Sequence, residues 1–186
     1  KTVSSGSRSG VLGAAQLSPD NRRLYLTRRY SIQCLDLITD QELWQTEPEQ
    51  AHGMTTLALS PDGRVLASCS GYEDPTIRVC DAATGRLLRR LDGHTGWVGT
   101  LAFSKDGRRL ISAATDQTIR FWDTSTLAET KVLRGHTDEI HAVAISEPAH
   151  LLASTGKDGN LTLWREDGKS ATDGYRRLPE NLRENQ

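Results

Sequence analysis

The chain has 186 residues, of which 36% are hydrophobic and 25% charged, and its formal net charge is −1. This length allows one sizeable core, while no apolar run is long enough to cross a bilayer and the first ten residues lack the apolar stretch of a signal peptide. Nucleic-acid-binding proteins usually carry a clear basic excess, so we expect a globular protein with neither a nucleic-acid nor a membrane partner.

One sequence pattern occurs four times along the chain. It consists of an apolar residue, any residue, an apolar residue and a serine, followed by a turn and by a leucine six positions after the serine. The serines lie 42, 44 and 42 residues apart, which is the period expected of four-stranded propeller blades. In chain order the four segments are Ala15 to Leu24, Leu57 to Leu66, Leu101 to Leu110, and Val143 to Leu152.

Within each period the local signals predict strands. The tripeptide Pro61-Asp62-Gly63 is a turn between two short apolar runs, which predicts a hairpin. A third strand is predicted at Thr76–Val79, where β-branched residues dominate, and an outermost strand at Leu87–Leu91, half apolar and half solvated. The innermost strand is apolar on both faces, as in Leu101–Phe103, which favours a sheet packed between neighbours. No apolar stripe at helical spacing extends beyond two turns, so no helix is predicted.

These residues resemble a known family. The segment from Gly93-His94 to Trp122-Asp123 is similar to one complete WD repeat, including the Trp-Asp pair that names the family. The segment from Gly135-His136 to Trp164 resembles a second repeat, with Arg165 in place of the final aspartate and Glu147–Ala149 in place of the usual turn. Two earlier repeats depart further, because Cys80 and Leu35 stand where the tryptophan is expected.

The resemblance implies an all-β fold, a WD-type β-propeller of four-stranded antiparallel blades. The predicted blades cover approximately residues 11–50, 51–92, 93–134 and 135–178, and residues 179–186 form a tail or begin a further blade. Because WD-type rings usually need about seven blades, we expect part of a ring. Further sequence, a second chain or self-association would complete it, since an open ring exposes apolar blade faces.

A Ser, His and Asp set invites comparison with hydrolases, because these side chains build the nucleophile, base and orienting acid of acyl transfer. Here the steps of 18, 4 and 6 residues from His94 to a tryptophan recur from His136, and identical sets in successive blades predict architecture instead of catalysis. The family resemblance implies two hydrogen-bonded structural tetrads. They are His94, Ser112, Asp116 and Trp122, and His136, Ser154, Asp158 and Trp164.

Other chemistry has little support in the sequence. The histidines that recur at 42 residues belong to different blades, so no metal site is predicted, and no glycine-rich phosphate loop precedes a helix. We therefore predict no enzyme, no metal and no cofactor. The three cysteines, Cys34, Cys69 and Cys80, are too few and too irregular for a disulfide framework. This pattern favours a reducing, cytoplasmic location.

Function is then expected to come from loops that a rigid scaffold displays. The candidate partner-binding residues lie in the entrance loops (93–97 and 135–139) and in the turns before the third strands. Trp97 is singled out, since exposed aromatic residues are enriched at binding hot spots, although it could merely cover the loop below it. The set of candidates is Trp97, Glu139, Tyr72 and Lys157.

The leading hypothesis is a non-catalytic scaffold that binds other proteins or peptides. The alternative is a sensor or regulatory propeller domain of a larger multidomain signalling protein such as a kinase. A third possibility, a hydrolase or lactonase, would require carboxylates or histidines that converge on a central channel.

Overall fold

The computed structural model of the protein describes residues 12–28, 31–47, 56–70, 74–146, 151–165 and 176–177. In these ranges the chain forms 16 β-strands in four antiparallel sheets of four strands, which confirms the predicted all-β architecture. No helix of the length and hydrophobicity needed to span a membrane occurs in them. The chain divides into two compact units, Lys1–Gly93 and His94–Gln186, each with two sheets. The blade limits assigned from the sequence stay predictions.

In each sheet of the first unit, strands that follow one another in the chain are neighbours. One sheet has the order β1-β2-β3-β4 and the other β5-β6-β7-β8. The strands are β1 (Leu12–Leu17), β2 (Arg23–Arg28), β3 (Ser31–Asp36), β4 (Glu42–Gln45), β5 (Thr56–Leu59), β6 (Val65–Cys69), β7 (Ile77–Asp81) and β8 (Leu87–Leu91).

The second unit repeats this topology. Its sheets have the orders β9-β10-β11-β12 and β13-β14-β15-β16, again antiparallel throughout. The strands are β9 (Val98–Phe103), β10 (Arg109–Ala114), β11 (Thr118–Asp123), β12 (Glu129–Arg134), β13 (Ile140–Ser146), β14 (Leu151–Gly156), β15 (Leu161–Arg165) and β16 (Arg176–Arg177).

The repeated serine fixes the first hairpin of three sheets. The Ser104 hydroxyl donates a 2.6 Å hydrogen bond to Asp106 Oδ1 and accepts one of 3.0 Å from the Arg109 N–H. The Ser104 N–H in turn donates to the Arg109 carbonyl oxygen at 2.9 Å. Ser18 and Ser60 make the same contacts in their own turns. Local side-chain bonds of this kind compete well with other backbone conformations, so each turn sets the register of its hairpin.

Each unit has an apolar core between its two sheets. Apolar side chains of both sheets meet in this core. Their burial is the main favourable contribution to the free energy of folding. The first unit's core contains Tyr25, Ile32, Cys34, Leu57, Leu66 and Ala82. The second unit's core contains Ile111, Ala113, Ile119, Phe121, Leu133, Ile140, Leu152 and Trp164.

The outer strand β8 is more exposed than the sequence predicts. Only Leu91 is buried, and Leu87 and Leu88 each keep 42% of their surface exposed. An outer strand has a sheet partner on one side only, so the alternation of apolar and polar residues does not by itself bury one of its faces. The prediction of a half-apolar, half-solvated strand was therefore wrong in its burial, although the strand lies where it was predicted.

Two turn glycines with the same backbone conformation test the packing between sheets of the first unit. Gly85 has φ +74°, and a Cβ at this position would lie 2.6 Å from Cε3 of Trp44. Gly159 has φ +71° and no atom within 4 Å of such a Cβ. Gly85→Ala is expected to lower the free energy of unfolding by more than ~2 kcal/mol, since left-handed strain and overpacking add.

Gly159→Ala is the matched control, and backbone strain alone is expected to lower its free energy of unfolding by about 1 kcal/mol. Urea denaturation followed by circular dichroism measures both variants. Equal losses for the two alanines would show that the contact with Trp44 does not constrain the turn.

Candidate functional site

Four polar side chains meet around the buried hydroxyl of Ser112 in the third sheet. His94 precedes β9, Ser112 lies in β10, Asp116 lies in the turn after it, and Trp122 lies in β11. His94 Nε2 is 2.7 Å from Ser112 Oγ, and His94 Nδ1 is 2.9 Å from Asp116 Oδ2. The Trp122 indole N–H donates to Ser112 Oγ at 2.9 Å. The four side chains therefore connect the entrance loop, two strands and a turn.

One arrangement of protons satisfies every member of this chain. The Trp122 N–H donates to the serine oxygen, the Ser112 hydroxyl donates to Nε2 of His94, and the Nδ1–H of His94 donates to the Asp116 carboxylate. Thr118 adds a hydroxyl and a backbone N–H to the other carboxylate oxygen, at 2.6 and 3.0 Å. Buried polar groups that are all paired make the surrounding backbone rigid.

The fourth sheet repeats this geometry. His136 lies 2.7 Å from Ser154 Oγ through Nε2 and 2.9 Å from Asp158 Oδ2 through Nδ1. The Trp164 indole N–H donates to Ser154 Oγ at 2.7 Å. The same contacts between residues 42 positions apart make this a repeated element of the two sheets.

The serine, histidine and aspartate are connected as in a hydrolase triad, but the nucleophile is blocked. Ser112 is 0% exposed, and its oxygen already accepts the hydrogen bond of the Trp122 indole. A catalytic serine must reach a carbonyl carbon, with the histidine beside it free to take the proton. Burial and the indole bond leave no room for such a substrate, so the arrangement favours a structural role.

The tetrad carboxylates are held in their charged form. Burial alone would raise the pKa of Asp158, but hydrogen bonds from the backbone N–H groups of Asn160 and Thr137 and from His136 outweigh it and lower the pKa to about 2. At Asp116 burial also acts to raise the pKa, and hydrogen bonds from His94, Thr118 and the Thr95 N–H lower it well below its ordinary value.

In the second sheet, a buried arginine pairs with the aspartate, and a cysteine replaces the tryptophan of the tetrad. Cys80 occupies the position of the tryptophan, and Arg78, which is buried, lies two residues before it on the same face. The Arg78 guanidinium donates to Ser70 Oγ at 2.8 Å and to Asp74 Oδ2 at 2.6 Å. This cluster was not predicted, although the loss of the tryptophan at position 80 beside an inward-facing arginine was a signal for it.

In the same sheet the central hydroxyl is left without the indole. Ser68 corresponds to Ser112 and is 0% exposed, and among the described residues its Oγ has no hydrogen-bond partner. The corresponding histidine, His52, lies outside the described residues. The aspartate of this sheet, Asp74, instead pairs with Arg78.

In each sheet of the second unit, a backbone hydrogen bond joins the entrance loop to the turn before the third strand. The Thr115 N–H donates to the Trp97 carbonyl oxygen at 2.9 Å, and the Lys157 N–H donates to the Glu139 carbonyl oxygen at 2.8 Å. Lys157 Nζ also lies 3.7 Å from Glu139 Oε1. Trp97 is half-buried, and Tyr72 lies outside the described residues. In the second unit, each entrance loop therefore lies beside the turn before the third strand of its own sheet.

The three cysteines are buried. Burial raises the pKa of the Cys34 thiol to about 11 and raises that of Cys69 further, so both stay protonated at neutral pH. Cys80 is buried as well. Within the ranges that the structure describes, no group of three or more His, Cys, Asp or Glu side chains is arranged to hold a metal ion.

Two models of known protein families match residues in all four sheets. Residues 85–123 and 128–165 match the family model "WD domain, G-beta repeat". Residues 20–98 match the "Anaphase-promoting complex subunit 4 WD40 domain". The two models together extend over strands of all four sheets, including the first and second, whose tryptophan positions are substituted.

Individual relatives cover smaller parts. The nuclear distribution protein PAC1 of Arthroderma benhamiae is 46% identical over 54 residues, which is 29% of this chain and 11% of that protein. A WD repeat-containing protein of Synechocystis is 34% identical over 106 residues, or 56% of this chain and 29% of that protein. The solved structure of U3-55K superimposes with a TM-score of 0.78 and 22% identity, covering 92% of this chain and 53% of that chain. The chain thus spans about half of the solved relative.

Equivalent serines in two sheets test the contribution of the tetrad. Ser112→Ala leaves the Trp122 N–H without its acceptor and His94 Nε2 without its donor. We expect it to lower the free energy of unfolding by at least ~2 kcal/mol, because unpaired buried polar groups are costly. Ser68→Ala, at the same position of the second sheet, is expected to change it by less than about 0.5 kcal/mol or to raise it slightly. Similar losses in both variants, measured by chemical denaturation, would contradict the assignment.

Because of Asp158, the aspartate of the second tetrad, the free energy of unfolding is expected to depend on pH in the acid range. The pKa of Asp158 is about 2 in the folded chain against an ordinary 3.8, so its stabilising effect is full above 3.8 and is lost as the pH falls towards 2. Asp158→Asn is expected to be less stable than the parent at pH 7, with a difference that shrinks towards pH 2. Thermal unfolding at a series of pH values measures this, and a constant difference would show that the carboxylate charge does not matter.

Proposed function

Because the chain belongs to the WD-repeat family, we propose that it is a non-catalytic scaffold that presents loops of rigid β-sheets to other proteins or peptides. The observation that carries the proposal is the hydrogen bonding of the tetrad side chains to one another. The serines, histidines and aspartates that could perform chemistry are buried and paired with one another. Solvent-facing loops are then the part of the molecule left to contact a ligand.

The anchoring of these loops supports a binding role. A loop that is already ordered loses little conformational entropy when a partner binds, so more of the contact energy appears as affinity. Trp97 is the last residue of an entrance loop whose histidine, His94, is held by the third sheet's tetrad, and the Trp97 carbonyl oxygen accepts the Thr115 N–H. The fourth sheet has Glu139 at the same place, beside Lys157. A large aromatic ring in one loop and a charged pair in the other would give the surface an anchor and a source of specificity.

The names of similar proteins agree with this role. One matching family model is named for a subunit of the anaphase-promoting complex. By that name, the WD40 domain of the subunit is part of a protein assembly. The cytoplasmic location predicted from the cysteines is part of the proposal, and cell fractionation tests it. The alternative predicted from the sequence, a regulatory domain of a larger signalling protein such as a kinase, stays a prediction that a kinase assay on the full-length protein would test.

The scaffold proposal is tested at Trp97. Trp97→Ala is expected to reduce the recovery of bound proteins in an affinity purification at least fivefold, because aromatic hot spots commonly contribute more than ~1 kcal/mol to binding. Quantitative mass spectrometry compares the proteins bound to the parent and to the variant. Circular dichroism and the thermal midpoint establish that the variant is folded.

Arg108→Ala is the matched control. Arg108 is exposed in the turn between β9 and β10, at the opposite end of β9 from Trp97. Its removal is expected to leave the recovered proteins unchanged. If both variants retain the partners of the parent, Trp97 is not part of a binding surface.

A further inference from the structure

The outer strand β8 differs in charge from two other outer strands of the protein. It contains Arg89 and Arg90, Arg86 immediately precedes it, and no acidic residue lies between these arginines. The outer strand β4 has a single charged residue, Glu42, and the outer strand β12 has residues of both signs. Among β4, β8 and β12, only β8 therefore carries several cations and no anion.

The side chains at the start of β8 are accessible. Its first four residues, Leu87–Arg90, are all exposed. Arg89 forms no salt bridge with any residue that the structure describes, whereas Arg120 in the third sheet pairs with Glu129 on β12. The charge of Arg89 is thus available to an acidic ligand, which it would attract from solution.

Backbone groups along the outer side of β8 are available as well. In the order β5-β6-β7-β8 it is the last strand, with β7 on one side. Alternate residues of an antiparallel strand direct their N–H and C=O groups to opposite sides, so an edge strand presents a row of groups away from its neighbour. Beyond the pairing with β7, Leu87, Leu88 and Arg89 make no backbone hydrogen bond with a described residue. An extended segment can pair with such an edge.

The arginines determine which segment suits this edge. Charges on an edge strand usually prevent identical chains from pairing, because two copies of β8 would bring arginine against arginine. The same charges attract a segment that carries carboxylates. Leu87 and Leu88, each 42% exposed, offer contact area to apolar side chains of that segment. The residues that exclude a second β8 therefore favour an acidic and partly apolar partner.

We propose that β8 is a docking edge for an acidic, extended peptide segment of another protein, which pairs with it as a further strand. The pairing runs along Leu88–Leu91, past the register shift that lies between Leu87 and Arg89. Carboxylates of the peptide lie beside Arg89, and an apolar side chain contacts Leu88. The docking edge is a strand, separate from the entrance loops with Trp97, so the proposal goes beyond the scaffold function and does not depend on it.

The experiment titrates the isotope-labelled full chain with three short peptides and follows the backbone amide resonances of β8 by nuclear magnetic resonance. A peptide of alternating glutamate and valine is expected to shift the resonances of Leu88–Leu91 with a Kd of about 1 mM or tighter. A peptide of alternating lysine and valine is expected to bind at least tenfold more weakly, because the arginines repel it. The acidic peptide with a methyl group on every backbone nitrogen cannot donate to the edge, and we expect it to bind at least tenfold more weakly as well.

Two variants with the same change of charge locate the site. Arg89→Glu is expected to weaken binding of the acidic peptide at least fivefold, because an attraction becomes a repulsion. Arg108→Glu, in an exposed turn of the other unit, is the control and is expected to bind the acidic peptide like the parent. Both side chains are removed from exposed positions, and the thermal midpoint establishes that both variants are folded.

Four results would overturn the proposal. They are the absence of binding at several times 1 mM, equal binding of the acidic and the lysine peptides, equal binding of the methylated peptide, and unchanged binding in Arg89→Glu. A further outcome concerns the partner. If the parent self-associates in sedimentation experiments and Arg89→Glu abolishes this, β8 pairs with a second copy of the chain and not with a separate acidic peptide, which also contradicts the proposal. None of these results bears on the partners recovered through Trp97.

Discussion

A serine hydroxyl buried at the centre of a sheet must find partners on both sides, and the second unit is organised around this requirement. Ser112 and Ser154 each accept from an indole and contact a histidine from the entrance loop. Since water cannot reach these oxygens, losing either partner would leave a polar group unpaired in the interior. Through the histidine, the hydroxyl thus helps to hold the entrance loop to the sheet.

The sequence is sufficient to predict the elements whose hydrogen bonds join residues close together in the chain. The turn at Ser104 and Asp106 can be predicted because each of its hydrogen bonds joins residues at most five positions apart. The tetrad residues can be identified because a family resemblance supplies the long-range pairing that spacing alone does not give. The burial of β8 could not be predicted, since the exposure of an outer strand depends on what lies beside it and not on its own alternation.

The second sheet shows where such reasoning stops. Cys80 signals the loss of an indole, but it does not reveal whether neighbouring side chains close the space. Arg78 turns towards Ser70 and Asp74, and Ser68 Oγ stays buried without a hydrogen-bond partner among the described residues. That outcome depends on the volumes of several side chains from two sheets, and no pattern within one strand records it. A substituted repeat can therefore keep its backbone while its buried polar side chains pair differently.

The serine turns at Ser18, Ser60 and Ser104 also affect the order in which the chain folds. Each turn closes a loop of a few residues, and hairpins of this size form within microseconds. The tetrads join residues as far as 22 positions apart, so their bonds follow once the strands are already paired. An interaction that forms after the rate-limiting barrier slows escape from the native state and leaves the speed of folding unchanged. The buried hydroxyls would then act chiefly as a kinetic lock, prolonging the lifetime of sheets that the turns had already assembled.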